Sequence, residues 1–130
     1  MRIFRRLRSC QAGTTAVEFA IIGPVLVLVS LGVIELGRGL NIRNQLSQAA
    51  DYGARKILID KQISDSALGN TVRSAFSAAD GGGLTVTIGA ESVNGVQFRT
   101  ISLKYPFTPL IPGLFSGQID LSLVRRTPVV

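Results

Sequence analysis

The chain has 130 residues, with fourteen Lys or Arg against eight Asp or Glu, a formal charge of +6, one cysteine and no histidine. Lacking histidine and a second thiol, it has none of the usual zinc ligand sets, no Cys–His nucleophile and no intrachain disulfide, and no metal or redox cofactor is expected. Arg2, Arg5, Arg6 and Arg8 crowd the start and leave ten basic against eight acidic residues after them. That balance is too even to point to nucleic acid.

Residues 1–13, MRIFRRLRSCQAG, form a basic leader without an acid. Cys10 follows Leu7, Arg8 and Ser9 rather than an apolar run, so it reads as an incidental thiol and not as a lipid acceptor. The small residues Ala12, Gly13, Thr14 and Thr15 come next, ahead of the apolar run. A secretory signal has the opposite order, with its small-residue cleavage site after the apolar segment. A cut at these residues would therefore keep the apolar segment in the mature chain. Residues 19–34 carry no charge and are flanked by Glu18 and Glu35. A helix over residues 14–34 rises about 31 Å, enough to cross a bilayer's hydrocarbon core once. The leader's positive charge then holds the N-terminus in the cytoplasm and sends the rest of the chain outward.

Within this segment Glu18 is costly in lipid, on the order of 2.5 to 3.5 kcal/mol at mid-bilayer. It either snorkels to the cytoplasmic headgroups or finds a cation, and an ammonium at Thr14, freed by a cut after Gly13, would lie four residues away on the same helix face. Pro24 removes one helical hydrogen bond and presses on the Ala20 carbonyl; it either bends the helix or is tolerated without a role. Gly32 and Gly37 are five apart and make no GxxxG pair. Glu35 and Arg38, three apart, can pair across one turn or simply mark the outer interface. Leu46, Ala49, Ala50, Gly53, Ala54 and Ile57 recur at helical spacing, which predicts that the helix runs on to about Asp60. Its small apolar face is suited to packing on a sheet or helix, with Arg43, Gln48, Asp51 and Arg55 turned elsewhere. Residues 14–37 are thus the transmembrane half of one long helix and residues 38–60 its extramembrane half.

Basic leader, Gly13, Glu18 five residues later, Phe19, Pro24, the Leu/Val-rich run, then Gly32, Glu35, Gly37 and Arg38, and the small-residue stretch over residues 48–55 together resemble the TadE-like pseudopilins of the tight adherence (Tad/Flp) pilus systems. The resemblance implies a pilin-like stem cleaved by prepilin peptidase between Gly13 and Thr14. Glu18 would be the fifth mature residue, attracting the next subunit's N-terminus. Phe19 and Pro24 belong to the same recognition and assembly motif, and Glu35, with Arg38 in the Glu-x-Gly-Arg step, becomes a candidate subunit contact. The implied partners are prepilin peptidase, other pilins and pseudopilins of the Tad system, and inner-membrane lipid. The implied place is the bacterial inner membrane, single pass, with the C-terminal domain periplasmic.

Residues 61–130 read as a small α+β domain. Ser64, Asp65 and Ser66 offer caps for a second helix carrying Leu68, Val72, Ala75, Phe76 and Ala79, ended by the glycines at 81–83. Leu84, Val86 and Ile88 then alternate with Thr85 and Thr87 as a strand, residues 91–95 with Asn94-Gly95 read as a hairpin turn, and residues 96–105 return. The apolar phase of that return switches between Phe98 and Ile101, which predicts a bulge or two buried faces. Ile119, Leu121 and Leu123 alternate as a third strand. The expected outcome is an antiparallel sheet of about three strands. Pro106, Pro109 and Pro112 predict an irregular loop over residues 106–117. Its apolar Phe107, Leu110, Ile111, Leu114 and Phe115 need cover from the domain's own helix, lipid or another subunit, self-burial being the first expectation.

The function class that follows is a structural one, a minor pilin-like subunit contributing to assembly of an adhesive Tad/Flp type IV pilus and not an enzyme. The alternatives are a plain single-pass anchored protein, a ligand-binding minor pilin using Arg99, Lys104, Arg125 and Arg126, and a membrane-anchored enzyme. Against catalysis, Asp51, Asp60, Asp65, Asp80, Glu91 and Asp120 are scattered singly, and the glycines at 81–83 lack the lysine of a phosphate loop.

Overall fold

The structure is a computed structural model that describes residues 11–77, 83–110 and 117–129. Two helices, α1 (Gln11–Ile59) and α2 (Asp65–Ala75), precede three strands, β1 (Thr85–Val93), β2 (Val96–Phe107) and β3 (Ile119–Val129). The chain divides into two compact units, residues 1–36 and 37–130.

The first unit is the leading part of α1. Its large apolar side chains face outward, with Phe19, Ile21, Leu26 and Val33 each well over half exposed. The helix is long and apolar enough to cross a membrane once, and none of its most apolar window is buried. A helix that is apolar all round, with no protein cover, is matched to lipid rather than to water. α1 continues through Pro24. A few residues on, Ser30 Oγ donates to the Leu26 carbonyl at 2.8 Å.

In the second unit the sequence changes from apolar all round to one-sided. Leu46, Ala49, Ala50 and Ile57 of α1 are fully buried, together with Leu68 and Val72 of α2 and Ile101 of β2. They share one core with Leu103, Tyr105 and Phe76, the last two in a tilted ring contact at 5.3 Å. Gly53 is where three elements meet. A Cβ built there would stand 2.6 Å from Val72 Cγ2 and 2.8 Å from Ile101 Cδ1, so neither α2 nor β2 has room for a methyl at this position.

α1 stops in an Asx-type turn, with Gln62 N donating to Asp60 Oδ1 at 3.1 Å. Ser64 then caps α2, its Oγ accepting from Ala67 N at 3.2 Å. α2 ends at Ala75, earlier than its apolar spacing predicted. Phe76 already has extended backbone, which turns its ring into the core; Ala79, Gly81 and Gly82 lie outside the described residues.

The sheet is an antiparallel meander in the order β1-β2-β3, and its details correct three expectations. β1 runs on through Glu91 to Val93, so the turn is only Asn94-Gly95, both residues with positive φ (53° and 81°). Such a two-residue turn matches the twist of the flanking strands and favours this dipeptide. β2 pairs residue for residue with both neighbours and has no bulge. Ile101, Leu103, Tyr105 and Phe107 face the core, and the apparent change of phase arises because Arg99 occupies that same face while Phe98 takes the other. Arg99 is tolerated there because Nη1 donates to the Ile63 carbonyl at 2.7 Å and Nη2 bonds Asp65. Finally, Pro106 and Phe107 lie in β2, opposite Asp120 and Ile119. The last β1 partner is Thr85, opposite Lys104, so at Pro106 one side of the strand needs no donor.

Gly53→Ala is expected to destabilise this unit by about 1 to 3 kcal/mol through overpacking, outweighing alanine's better helix propensity of about 1 kcal/mol. Gly37→Ala, with nothing within 4 Å of the added Cβ, should be neutral or slightly stabilising. Urea titrations of the full chain in detergent, followed by near-ultraviolet tyrosine dichroism, compare the two.

Candidate assembly site

The residues singled out from the sequence fall at the two ends of the apolar run. At the first end, Gly13 and Thr14 are both helical, and nothing stands within 4 Å of a Cβ placed on Gly13. Thr14 and Glu18 share one helix face four residues apart. Glu18 is exposed, and among the described residues no ion pair reaches it. Phe19 is 74% exposed, and its ring lies back along the helix toward Gly23, 3.7 Å from a Cβ built there. That leaves a contiguous bare surface of Glu18, Phe19 and the Gly23-Pro24 turn.

At the other end Glu35 is 7% exposed although its neighbours Ile34 and Leu36 are more than half exposed. It lies seventeen residues from Glu18, about 26 Å along a helix, so the two carboxylates act at separate places. Arg38 places Cζ 5.4 Å over the Phe107 ring. Gly39 leaves room for that ring's edge, which lies 4.0 Å from where a Cβ on residue 39 would stand. Phe107 is buried within its own unit, as self-burial requires. Leu110 is exposed, and Ile111, Leu114 and Phe115 lie outside the described residues.

Residues 13–55 match the family model described as TadE-like protein. This segment is TadE-like. It takes in Gly13, Glu18, Phe19, Pro24, Glu35, Arg38 and the small-residue face at Ala49, Ala50 and Gly53, and it stops before α2 and the sheet. No curated protein and no solved structure matches the chain.

The strand cations read from the sequence as solvated positions are each set against an acid. Arg99 meets Asp65, Arg125 meets Asp51, Lys104 Nζ lies 2.8 Å from Asp120 Oδ2, and Arg126 Nη2 lies 3.4 Å from Glu91 Oε2. Arg99 and Arg125 are drawn toward the helices, and Asp51 is turned to the sheet rather than away from it. These long-range pairs had no signal in the sequence, because their members are 34 and 74 residues apart. The Arg38–Phe107 contact was equally hidden. Among the described residues no three of His, Cys, Asp and Glu gather as metal ligands would.

A double-mutant cycle of Arg38→Gln and Phe107→Leu should give a coupling of about 0.5 to 2 kcal/mol, the range for a cation over an aromatic face. Additive losses in chemical unfolding would show that the contact carries no energy of its own.

Proposed function

We propose that the chain is a minor pilin-like subunit of a Tad/Flp type IV pilus system. In this reading it is inserted once in the bacterial inner membrane and is cut by prepilin peptidase between Gly13 and Thr14. The leader remains cytoplasmic, residues 14–34 stay in the bilayer, and the α+β unit stands in the periplasm among other pilins and pseudopilins. The observation that carries this reading is the TadE-like match over residues 13–55, which spans the small-residue junction, the charge-free run and the packing face as one stretch. The role is structural. Asp51, Asp60, Asp65, Glu91 and Asp120 are each occupied by a cation or a backbone N–H, an arrangement suited to holding a fold rather than to acid–base chemistry.

Glu18 gives the reading its mechanism. This exposed carboxylate beside a charge-free run has no ion-pair partner among the described residues. Hydrolysis after Gly13 makes one, the Thr14 ammonium, which either closes back on Glu18 across one turn or is met by Glu18 of a neighbouring subunit. The bond to be cut lies inside α1, so the helix must open there first. Gly13, Thr14 and Thr15 are poor helix formers at the end of the element, where opening costs least.

The intact mass of protein purified from membranes of the producing cell should correspond to a chain beginning at Thr14, and to one beginning at Met1 when prepilin peptidase is deleted. An uncut chain in both strains would support a plain anchored protein instead. Glu18→Ala should leave the cut unchanged and impair piliation; normal pili in that variant would remove the pairing role.

A further inference from the structure

β1 and β3 are the two edges of the sheet, and they are not equally guarded. β3 carries Arg125, Arg126 and Pro128, charges and a proline of the kind with which edge strands resist further pairing. β1 runs nine residues with no proline and a single charge, Glu91. That carboxylate leans across the sheet to Arg126 Nη2 at 3.4 Å, which leaves the edge itself neutral. The Asn94-Gly95 turn fixes which backbone groups are free. Val93 and Val96 close it as a hydrogen-bonded pair, so by alternation Ser92, Ala90, Ile88 and Val86 turn their N–H and C=O groups away from β2. The side chains of Val86 and Ile88 point to the helix side of the sheet and are only half-buried.

A cation stands beside this edge. Gly69 of α2 brings Ile88 Cδ1 and Arg73 Nη1 to one place, 3.8 and 3.5 Å from where its own Cβ would stand. Arg73 is exposed, and among the described residues no acid pairs with it.

We propose that β1 takes up an extended acidic segment of another protein as a fourth, antiparallel strand. Main-chain bonds to the free groups at residues 86–92 supply the affinity, and alternate side chains supply the specificity. A strand added about 4.8 Å from β1 sets its helix-side residues next to Ile88, within reach of the long Arg73 side chain, and an Asp or Glu there completes the ion pair. A second copy of this chain does not supply that acid. On the helix side its β3 offers a cation, Arg125, and no acid, while its β1 offers only Val86, Ile88, Ala90 and Ser92. The inference concerns the second unit alone and stands apart from the membrane placement and the cut proposed above.

The probe is a short peptide alternating threonine and valine, with one valine replaced by glutamate; a companion peptide has glutamine there. Each is offered to the full chain in detergent micelles and its binding followed by fluorescence anisotropy. The glutamate peptide should bind about two- to fivefold more tightly, the worth of one exposed ion pair. Amide exchange read by NMR should slow at Ile88 and Ala90 and not along β3. Arg73→Gln should erase the difference between the peptides, whereas Arg55→Gln, an exposed cation on α1, should preserve it. Ala90→Pro removes an outward N–H and no bond to β2, so it should keep the urea midpoint and abolish binding of both peptides. If that variant unfolds, the Arg73→Gln comparison decides. Equal affinity for the two peptides, binding that survives Ala90→Pro in a folded chain, or protection of β3 in place of β1 would overturn the proposal. Slowed exchange at Ile88 and Ala90 that grows with protein concentration and needs no peptide would overturn it in favour of a second copy.

Discussion

The fold of the second unit depends on a steric constraint at one position of α1. Val72 of α2 and Ile101 of β2 both bring methyl groups to where a side chain on residue 53 would begin, and both are themselves fully buried. Val72 is β-branched and has little rotamer freedom with which to yield. Glycine there, with Ala49 and Ala50 on the preceding turn, lets a helix and a sheet seat on α1 at backbone distance. Larger residues would force both outward and open the core shared with Leu46 and Ile57. The TadE-like match closes at residue 55, just beyond this face. What it covers is an apolar run plus the surface on which a domain is mounted, and the mounted domain lies outside it.

One helix thus faces two kinds of surroundings, and its sequence changes character accordingly. Over residues 19–34 the large side chains are apolar on every face and exposed, a pattern suited to lipid rather than to water. After Gly37 the buried apolar residues Leu46, Ala49, Ala50 and Ile57 collect on one stripe, while Arg43 and Arg55 stay outside. Because this change is written in local periodicity, the long helix, its end near residue 60 and the Ser64 cap were all legible in the sequence.

The sheet was legible in outline only, for a related reason. Alternation reports which face of a strand is covered, but not what lies across the ladder. Pro106 looked like a strand breaker because its chain neighbours include Pro109 and Pro112; its place in β2 depends on β1 having already ended opposite Lys104. Arg99 looked like a change of phase because a cation on a core face is unusual; its tolerance depends on the Ile63 carbonyl and on Asp65, more than thirty residues away. Arg38 in the same way showed its spacing to Glu35 but not the Phe107 ring brought over it by β2. Of the candidate site, the residues were legible and their surroundings were not.

The two acids that bracket the charge-free run are the clearest case. From sequence they are equivalent, each a single carboxylate at an edge. In the folded chain Glu35 is nearly enclosed while Glu18 is exposed and unpaired among the described residues. Desolvating a carboxylate is tolerated when partners lie within reach, and Glu35 has an interaction inside this chain. Among the described residues Glu18 has no such interaction, and on the proposed reading its partner is a new terminus or another subunit. Glu18 is therefore, on that reading, the residue through which processing and assembly act, because an added cation beside it lowers the free energy of the membrane-embedded state.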